Sequence, residues 1–106
     1  MFSPTEREKR RGLRLQVAVR GCDADGRSFD EESLTRNVSG GGLCFESRRF
    51  LPLGTRLELR ITLPRPLRHH FSGRSSYAVR ALVCRVEPVP GEGFRVGARF
   101  LAEIEV

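Results

Sequence analysis

The sequence has no long apolar run, no tryptophan, one tyrosine and a single lysine, Lys9. A membrane-spanning helix needs roughly 18 consecutive apolar residues, so no helical span is expected. The amino-terminal stretch "MFSPTEREKRR" has no apolar segment after its charges, which is unlike a signal peptide and predicts a cytoplasmic location. The shortage of tryptophan and tyrosine also argues against a surface that stacks successive nucleic-acid bases.

The cysteines are few and lie far apart. Cys22, Cys44 and Cys84 show neither the paired spacing of zinc sites nor that of a disulfide framework. We predict that Cys44 and Cys84 are small core residues within strands, because unpaired cysteine behaves as a small apolar side chain.

Residues that could support catalysis or bind a metal are also scarce. His69 and His70 are adjacent, but no third ligand stands at a recognisable metal spacing, so they are predicted to be solvated loop residues. The acidic run "DEE" at 30–32 is predicted to lie on the exposed face of a strand or turn. The sequence therefore predicts a protein that is not an enzyme and that needs neither a metal nor a cofactor.

Arginine is abundant: 19 residues are basic, 13 are acidic, and the net charge is +6. Between Leu59 and Val86 there are six arginines and no acidic residue. A guanidinium binds phosphate through two parallel hydrogen bonds and stacks on aromatic bases, which favours an anionic partner. A GC-rich genome or a solvated basic surface explains the same composition, so composition alone leaves the choice open.

Alternation of apolar and polar residues predicts about six strands in one domain. The predicted strands cover residues 13–20, 29–38, 43–47, 55–64, 77–87 and 94–104, with an Asp-Gly turn before the second and a loop at 64–76 before the fifth. Short strands with frequent turns favour an all-β barrel or sandwich, and barrel closure removes exposed strand edges. Residues 1–12 are predicted to be a flexible segment whose "SPTE" begins a short helical turn, and residues 13–106 to form the barrel domain.

Two segments carry the functional signal. In "RRGLR", Arg10 and Arg14 stand four residues apart directly before the first strand; in "NVSGGG", Asn37, Ser39 and Gly42 stand at the end of the second. Glycines let the backbone approach a ligand, and asparagine and serine add neutral donors and acceptors, which suits a phosphorylated heterocycle. Taken singly, the first segment also fits a solvated helix end or tether, and the second fits a tight turn whose side chains bond their own backbone.

Taken together and in this order, the two segments resemble the PilZ domain, a bacterial receptor module for cyclic di-GMP. The last strand is similar too, since "RVGARF" has a glycine and an aromatic residue, Gly97 and Phe100, at the positions where the family commonly has them. The resemblance covers the chain from about Arg10 to Phe100 and implies a six-stranded antiparallel barrel of the split-barrel type, with a flexible, partly helical amino-terminal segment.

The resemblance implies a set of arginines that bind the ligand. Arg10 and Arg14 correspond to the motif arginines, which in the family bind the phosphates and the Hoogsteen edge of guanine, and Arg11 is an assisting neighbour. We prefer this pair to Arg7 and Arg11 because the family's second arginine abuts the first strand. A guanidinium fork also matches the two acceptors that guanine presents.

The second motif would supply the remaining contacts. Asn37 and Ser39 would hydrogen-bond guanine or phosphate on the barrel surface, and Gly42 would keep the turn of the motif open.

The function implied is a cyclic di-GMP receptor or adaptor that changes conformation and signals to an unidentified effector protein. Two alternatives are a small basic barrel that binds single-stranded nucleic acid and an adaptor that binds only protein.

Overall fold

The alternating sequence forms six strands in the computed structural model, which describes residues 13–104. They are β1 (Gln16–Cys22), β2 (Ser28–Val38), β3 (Gly42–Ser47), β4 (Arg56–Thr62), β5 (Ser76–Val89) and β6 (Gly93–Glu103). Neighbouring strands pair antiparallel in the order β1-β2-β3-β6-β5-β4, and β4 returns to β1 to close a barrel. The predicted six-stranded antiparallel β-barrel is confirmed. The predicted helical turn and the motif residues Arg10 and Arg11 lie outside the described residues.

The barrel interior is filled by the apolar residues that alternate along each strand. In β4, Leu57, Leu59 and Ile61 are buried while the intervening residues are exposed, as the sequence pattern predicts. The loop predicted at 64–76 contains a short helix, α1 (Arg65–Arg68), and a 3₁₀ turn (His69–Phe71). Both histidines are exposed, which confirms their interpretation as solvated residues.

Bulges on β2 and β5 interrupt the alternation. On β5, Val83 lies opposite Ala98 and Arg85 opposite Gly97, so Cys84 is an extra residue with no partner on β6. The prediction for Cys44 is confirmed because that residue is buried, but the prediction for Cys84 is wrong because Cys84 is exposed. A bulge turns its extra residue out of the regular in-and-out pattern, and no feature of a single sequence marks its position.

The two ends of the barrel are covered by different kinds of side chain. The site end holds the entry segment 13–15, the β2–β3 loop and the β4–β5 loop, and an aromatic cluster of Phe71, Tyr77 and Phe100 packs against its core. The ring centroid of Tyr77 lies 5.1 Å from that of Phe71 and 6.3 Å from that of Phe100. Apolar burial therefore covers this end of the core.

The opposite, charged end holds the 23–27 turn and the 48–55 loop, and Glu31 is buried there at 4% exposure. Its carboxylate accepts hydrogen bonds of 2.8 Å from the Ser47 hydroxyl and the Arg48 amide. Arg49 lies 3.8 Å from the same carboxylate and 3.6 Å from that of Asp23. The prediction that the whole acidic run 30–32 is exposed is therefore wrong at its central residue, which points inward between two exposed neighbours.

Candidate ligand-binding site

Arg14 reaches the barrel surface because the residues on either side of it are held by Thr35. This threonine is completely buried; its hydroxyl donates to the Leu13 carbonyl and accepts a 2.9 Å hydrogen bond from the Leu15 amide. The Thr35 amide donates to the Leu15 carbonyl at 2.9 Å. Leu15 is buried, and Arg14 is exposed and makes no ion pair with any residue in the range 13–104. The entry segment thus fixes the position of this backbone and leaves the guanidinium available.

Asn37 faces outward because β2 bulges immediately before it. Thr35 lies opposite Phe45, but Asn37 lies opposite Cys44, so β2 uses one residue more than β3 across this interval. Directly opposed residues share a face of the sheet. Phe45 belongs to the core, so Thr35 faces inward, whereas Cys44 alternates with two core residues of β3, so Asn37 faces outward. Without the bulge, Asn37 would share the inward face of Thr35. The bulge therefore places the amide on the outer surface, where it is half-buried.

Ser39 organises the loop that follows. Its amide donates to the Gly42 carbonyl at 2.8 Å, its hydroxyl lies 3.3 Å from the same carbonyl, and the Gly41 amide lies 3.3 Å from the hydroxyl. A serine that bonds its own turn is what the simpler interpretation of this segment predicts. A hydroxyl offers one donor and two acceptor positions, so one acceptor position remains for another group.

Gly42 is required by its close approach to the next strand. A Cβ atom at this position would lie 2.4 Å from the Ala98 carbonyl oxygen, a distance that real side chains do not show. The Phe100 amide also donates to the Gly41 carbonyl at 2.9 Å, which ties the loop to β6. Glycine therefore serves barrel packing here, in addition to the turn role expected from the sequence.

The structure brings Arg14, Asn37, Ser39 and Gly42 to the site end of the barrel, on or beside the loop between β2 and β3. Arg10 and Arg11, the other members of the predicted site, lie outside the described residues.

Sequence reasoning missed three residues that shape this site. Thr35 holds the entry segment, and Arg36, the extra residue of the bulge, pairs with Glu46 at 2.8 Å. Arg99 on β6 lies opposite Gly42, is exposed, and has no ion partner among the described residues. These residues come together through the pairing of β2, β3 and β6. Sequence alternation predicts only the inward position of Thr35.

Two titratable groups near the site end depart from their ordinary behaviour. Burial, reinforced by Glu103, raises the pKa of Tyr77. The charge of His69, whose ring centroid lies 3.9 Å away, lowers the pKa of His70.

Within the described range, the structure places no three histidine, cysteine or acidic side chains where they could share a metal ion. Nor does any helix between residues 13 and 104 have the length and apolar character needed to cross a bilayer.

Comparison with known proteins adds two findings. The family model of the PilZ domain matches residues 5–106. Among solved structures, the inhibitor of motility MotI/DgrA from Bacillus subtilis is similar, with a TM-score of 0.64 and 20% sequence identity; the match covers 90% of this chain and 41% of that one. This chain therefore corresponds to less than half of the MotI chain. No curated protein sequence matches.

Proposed function

The chain belongs to the PilZ domain family, and on that basis we propose that it is a receptor for cyclic di-GMP that acts as an adaptor toward a partner protein. The proposal assigns it no catalytic step and no cofactor apart from the dinucleotide ligand. It also assigns the protein to the cytoplasm.

One observation carries the proposal: an exposed, unpaired arginine stands beside the outward-facing amide of the second motif. The hydrogen bond between Thr35 and Leu15 continues the antiparallel pairing of β1 with β2 by one residue. One residue further in the same register, Arg14 lies level with the bulge residue that precedes Asn37. A guanidinium and a carboxamide on the same face of two adjacent chain segments offer donors to a phosphate and to the acceptor edge of guanine.

The mechanism follows from where the motif arginines lie in the chain. Arg10 and Arg14 approach the ligand from the segment before β1, and Asn37 and Ser39 approach it from the barrel. A ligand held from both sides fixes residues 10–14 against the barrel, and this alters the surface offered to a partner. The structural relative is named an inhibitor of motility, so motility is the first process in which to seek that partner.

The nucleic-acid alternative gains no support from the described part of the chain. Between residues 13 and 104, Phe50 is the single phenylalanine or tyrosine whose side chain is classed as exposed, and the others are buried or pack against the core. Base stacking on a single-stranded nucleic acid requires several exposed rings along one groove.

Calorimetric titration with cyclic di-GMP tests the proposal, with cyclic di-AMP and GTP as controls. We expect saturable heat with cyclic di-GMP and much weaker heat with cyclic di-AMP, because adenine presents an amino donor where guanine presents an acceptor. Equal heats for the two dinucleotides, or no heat for either, would overturn the proposal. Tight binding to random single-stranded DNA that resists added salt would instead favour the nucleic-acid alternative.

A further inference from the structure

The outward-facing side of the barrel wall continues from the candidate site across two more strands, where Cys44 is 2% exposed and Gly97 is buried. Asn37 lies opposite Cys44, Cys44 opposite Gly97, and Gly97 opposite Arg85, so these residues form one row across β2, β3, β6 and β5. Strands are spaced about 4.8 Å apart, so three strand spacings, or about 14 Å along the curved surface, separate the two ends of the row. We call these four residues the outer row.

Arg85 lies along this row instead of projecting away from the barrel. A Cβ atom built on Gly97 would lie 3.4 Å from the Arg85 Cβ and 3.7 Å from its Nε. The side chain therefore runs from β5 over the bare backbone of β6, in the direction of β3. Because Gly97 has no side chain, the guanidinium can lie close to the sheet.

Arg99 stands beside the outer row on the same strand as Gly97. Both residues face outward and are two positions apart, which corresponds to about 6.7 Å along a strand. Arg99 lies opposite Gly42, so it adjoins the loop of the second motif directly. Neither Arg85 nor Arg99 forms an ion pair with another described residue. By contrast, Glu46 on the neighbouring strand is already paired with Arg36.

Cyclic di-GMP carries two phosphates and two guanines, and under the proposed function the two motifs would contact one part of it. We propose that Arg85 and Arg99 bind the remainder, with Arg99 on a phosphate and Arg85 on a guanine that lies over Gly97. This inference rests on the proposed function. A guanidinium suits both contacts, because its fork binds phosphate oxygens or the O6 and N7 acceptors of guanine. The guanine over Gly97 belongs either to the same dinucleotide or to a second copy stacked on it.

The test is calorimetric titration of cyclic di-GMP into the wild-type chain and into Arg85→Ala, Arg99→Ala and Arg80→Ala. Arg80 is a matched control, because it is an exposed, unpaired arginine on β5 whose strand partners are Glu58 and Ala102 instead of the outer row. We expect the two proposed contacts to weaken binding about tenfold to a hundredfold each, which corresponds to one charge-assisted hydrogen bond. Arg80→Ala should change affinity less than about threefold, as expected for loss of a distant exposed charge.

A second variant tests the position of the guanine without removing a charge. Gly97→Val builds a side chain on the strand where the base would lie, and the three atoms nearest to its Cβ are the Cβ, Nε and carbonyl oxygen of Arg85, at the ordinary contact distances of 3.4, 3.7 and 4.0 Å. The thermal midpoint of the free protein should therefore change little, while affinity for cyclic di-GMP falls at least as far as in Arg85→Ala.

The stoichiometry identifies the source of the guanine. One ligand per chain, bound more weakly in Arg85→Ala, assigns it to the same molecule; two ligands that become one in Arg85→Ala assign it to a second copy. Unchanged binding by Arg85→Ala and Arg99→Ala, together with loss of binding in Arg14→Ala, overturns this inference and leaves the proposed function intact. Equal weakening by Arg80→Ala also overturns it, since the effect would then be general electrostatics. No binding by the wild-type chain overturns both proposals.

Discussion

Arginines at the two ends of the barrel differ in the acidic groups that they contact. At the charged end, Arg48 and Arg49 lie 3.7 and 3.8 Å from the buried carboxylate of Glu31, and Arg49 also lies over the Phe29 ring at 4.4 Å. At the site end, Arg36 and Arg74 are paired with Glu46 and Glu103, but Arg14 and Arg99 are exposed and have no acidic partner among the described residues. The number of arginines therefore says little about function, because their pairing decides which of them can bind a ligand.

The physical reason is that an arginine already paired with a carboxylate cannot bind a phosphate without giving up that pair. An arginine that neutralises a buried carboxylate stabilises the fold, and recruiting it to a phosphate would leave that carboxylate buried without its ion partner. An unpaired, solvated arginine gives up only its hydration when a phosphate arrives. The charged end should therefore determine stability and the site end should determine affinity, which is a separation that substitutions can test.

The largest expected effect on stability is at the charged end. Glu31→Ala removes two hydrogen bonds to a charged acceptor and leaves the buried Ser47 hydroxyl and the Arg48 amide without their partner. We expect a loss of about 3 kcal/mol in unfolding free energy, which lowers the thermal midpoint by roughly 10 to 20 °C. Thermal unfolding measures this change, and the exposed neighbour Asp30, mutated to alanine, should shift stability by less than about 0.5 kcal/mol.

The same variant tests whether the two ends are independent. Below its lowered midpoint, Glu31→Ala should bind cyclic di-GMP with an affinity within about twofold of the wild type, because distant sites act additively. A large loss of affinity in the folded variant would show that the separation between the ends is wrong.

At the site end, we expect a loss of affinity with little change in stability. Arg14→Ala should weaken cyclic di-GMP binding about tenfold to a hundredfold, with Arg10→Ala similar and Arg7→Ala much weaker in effect. Arg14 is exposed and unpaired, so the midpoint of the free protein should be nearly unchanged while the stabilisation conferred by ligand shrinks. A thermal-shift series with and without ligand measures both quantities. Loss of the ligand shift in Arg7→Ala but not in Arg14→Ala would show that the motif is aligned incorrectly.

Thr35 belongs to the site end but is buried, so its substitution should affect both stability and affinity. Thr35→Val keeps the shape of the side chain and removes its hydrogen bonds to Leu13 and Leu15, which should cost about 1 to 3 kcal/mol of stability. Affinity should also fall, though less than in Arg14→Ala, because the backbone that positions Arg14 is loosened. Chemical unfolding and calorimetry measure the two effects, and Thr62→Val on the exposed face of β4 is the control. Lost stability with unchanged affinity would contradict the positioning role.

The smallest effect concerns the aromatic cluster of the site end. Burial raises the pKa of Tyr77, so the neutral phenol is favoured in the folded state. The resulting stability is fully present below the unfolded pKa of about 10 and is lost as the pH rises through the higher folded value. Because Tyr77 is the only tyrosine, its absorbance titration reports this pKa directly. Tyr77→Phe should reduce the alkaline decline in thermal midpoint; identical declines in both proteins would contradict this account.

Much of the fold could be predicted because strand alternation is a local property. The buried residues of β4 follow the period of two, and the turn at Asp25–Gly26 joins β1 to β2 as its sequence indicates. The errors at Glu31 and Cys84 have different causes. Glu31 is buried because Ser47, Arg48 and Arg49 approach from a distant loop, and Cys84 is exposed because β5 gains a residue relative to β6.

The residues of the candidate site also differ in whether the sequence alone could predict them. The motif residues Asn37, Ser39 and Gly42 could be predicted from the sequence because they lie within one stretch of six residues. Arg85 and Arg99 could not, because nothing in the local sequence distinguishes them from Arg80 or Arg60.

The sequence by itself determined the number of strands, their approximate bounds and the family, since periodicity and short motifs are carried by neighbouring residues. Only the tertiary structure decided which charges are used internally and which remain available. That decision depends on register: a bulge before Asn37 turns its amide outward, and the pairing of β3, β6 and β5 aligns Gly97 and Arg85 beside it. Register is set by contacts between residues far apart in the chain, so it arises only when the barrel closes.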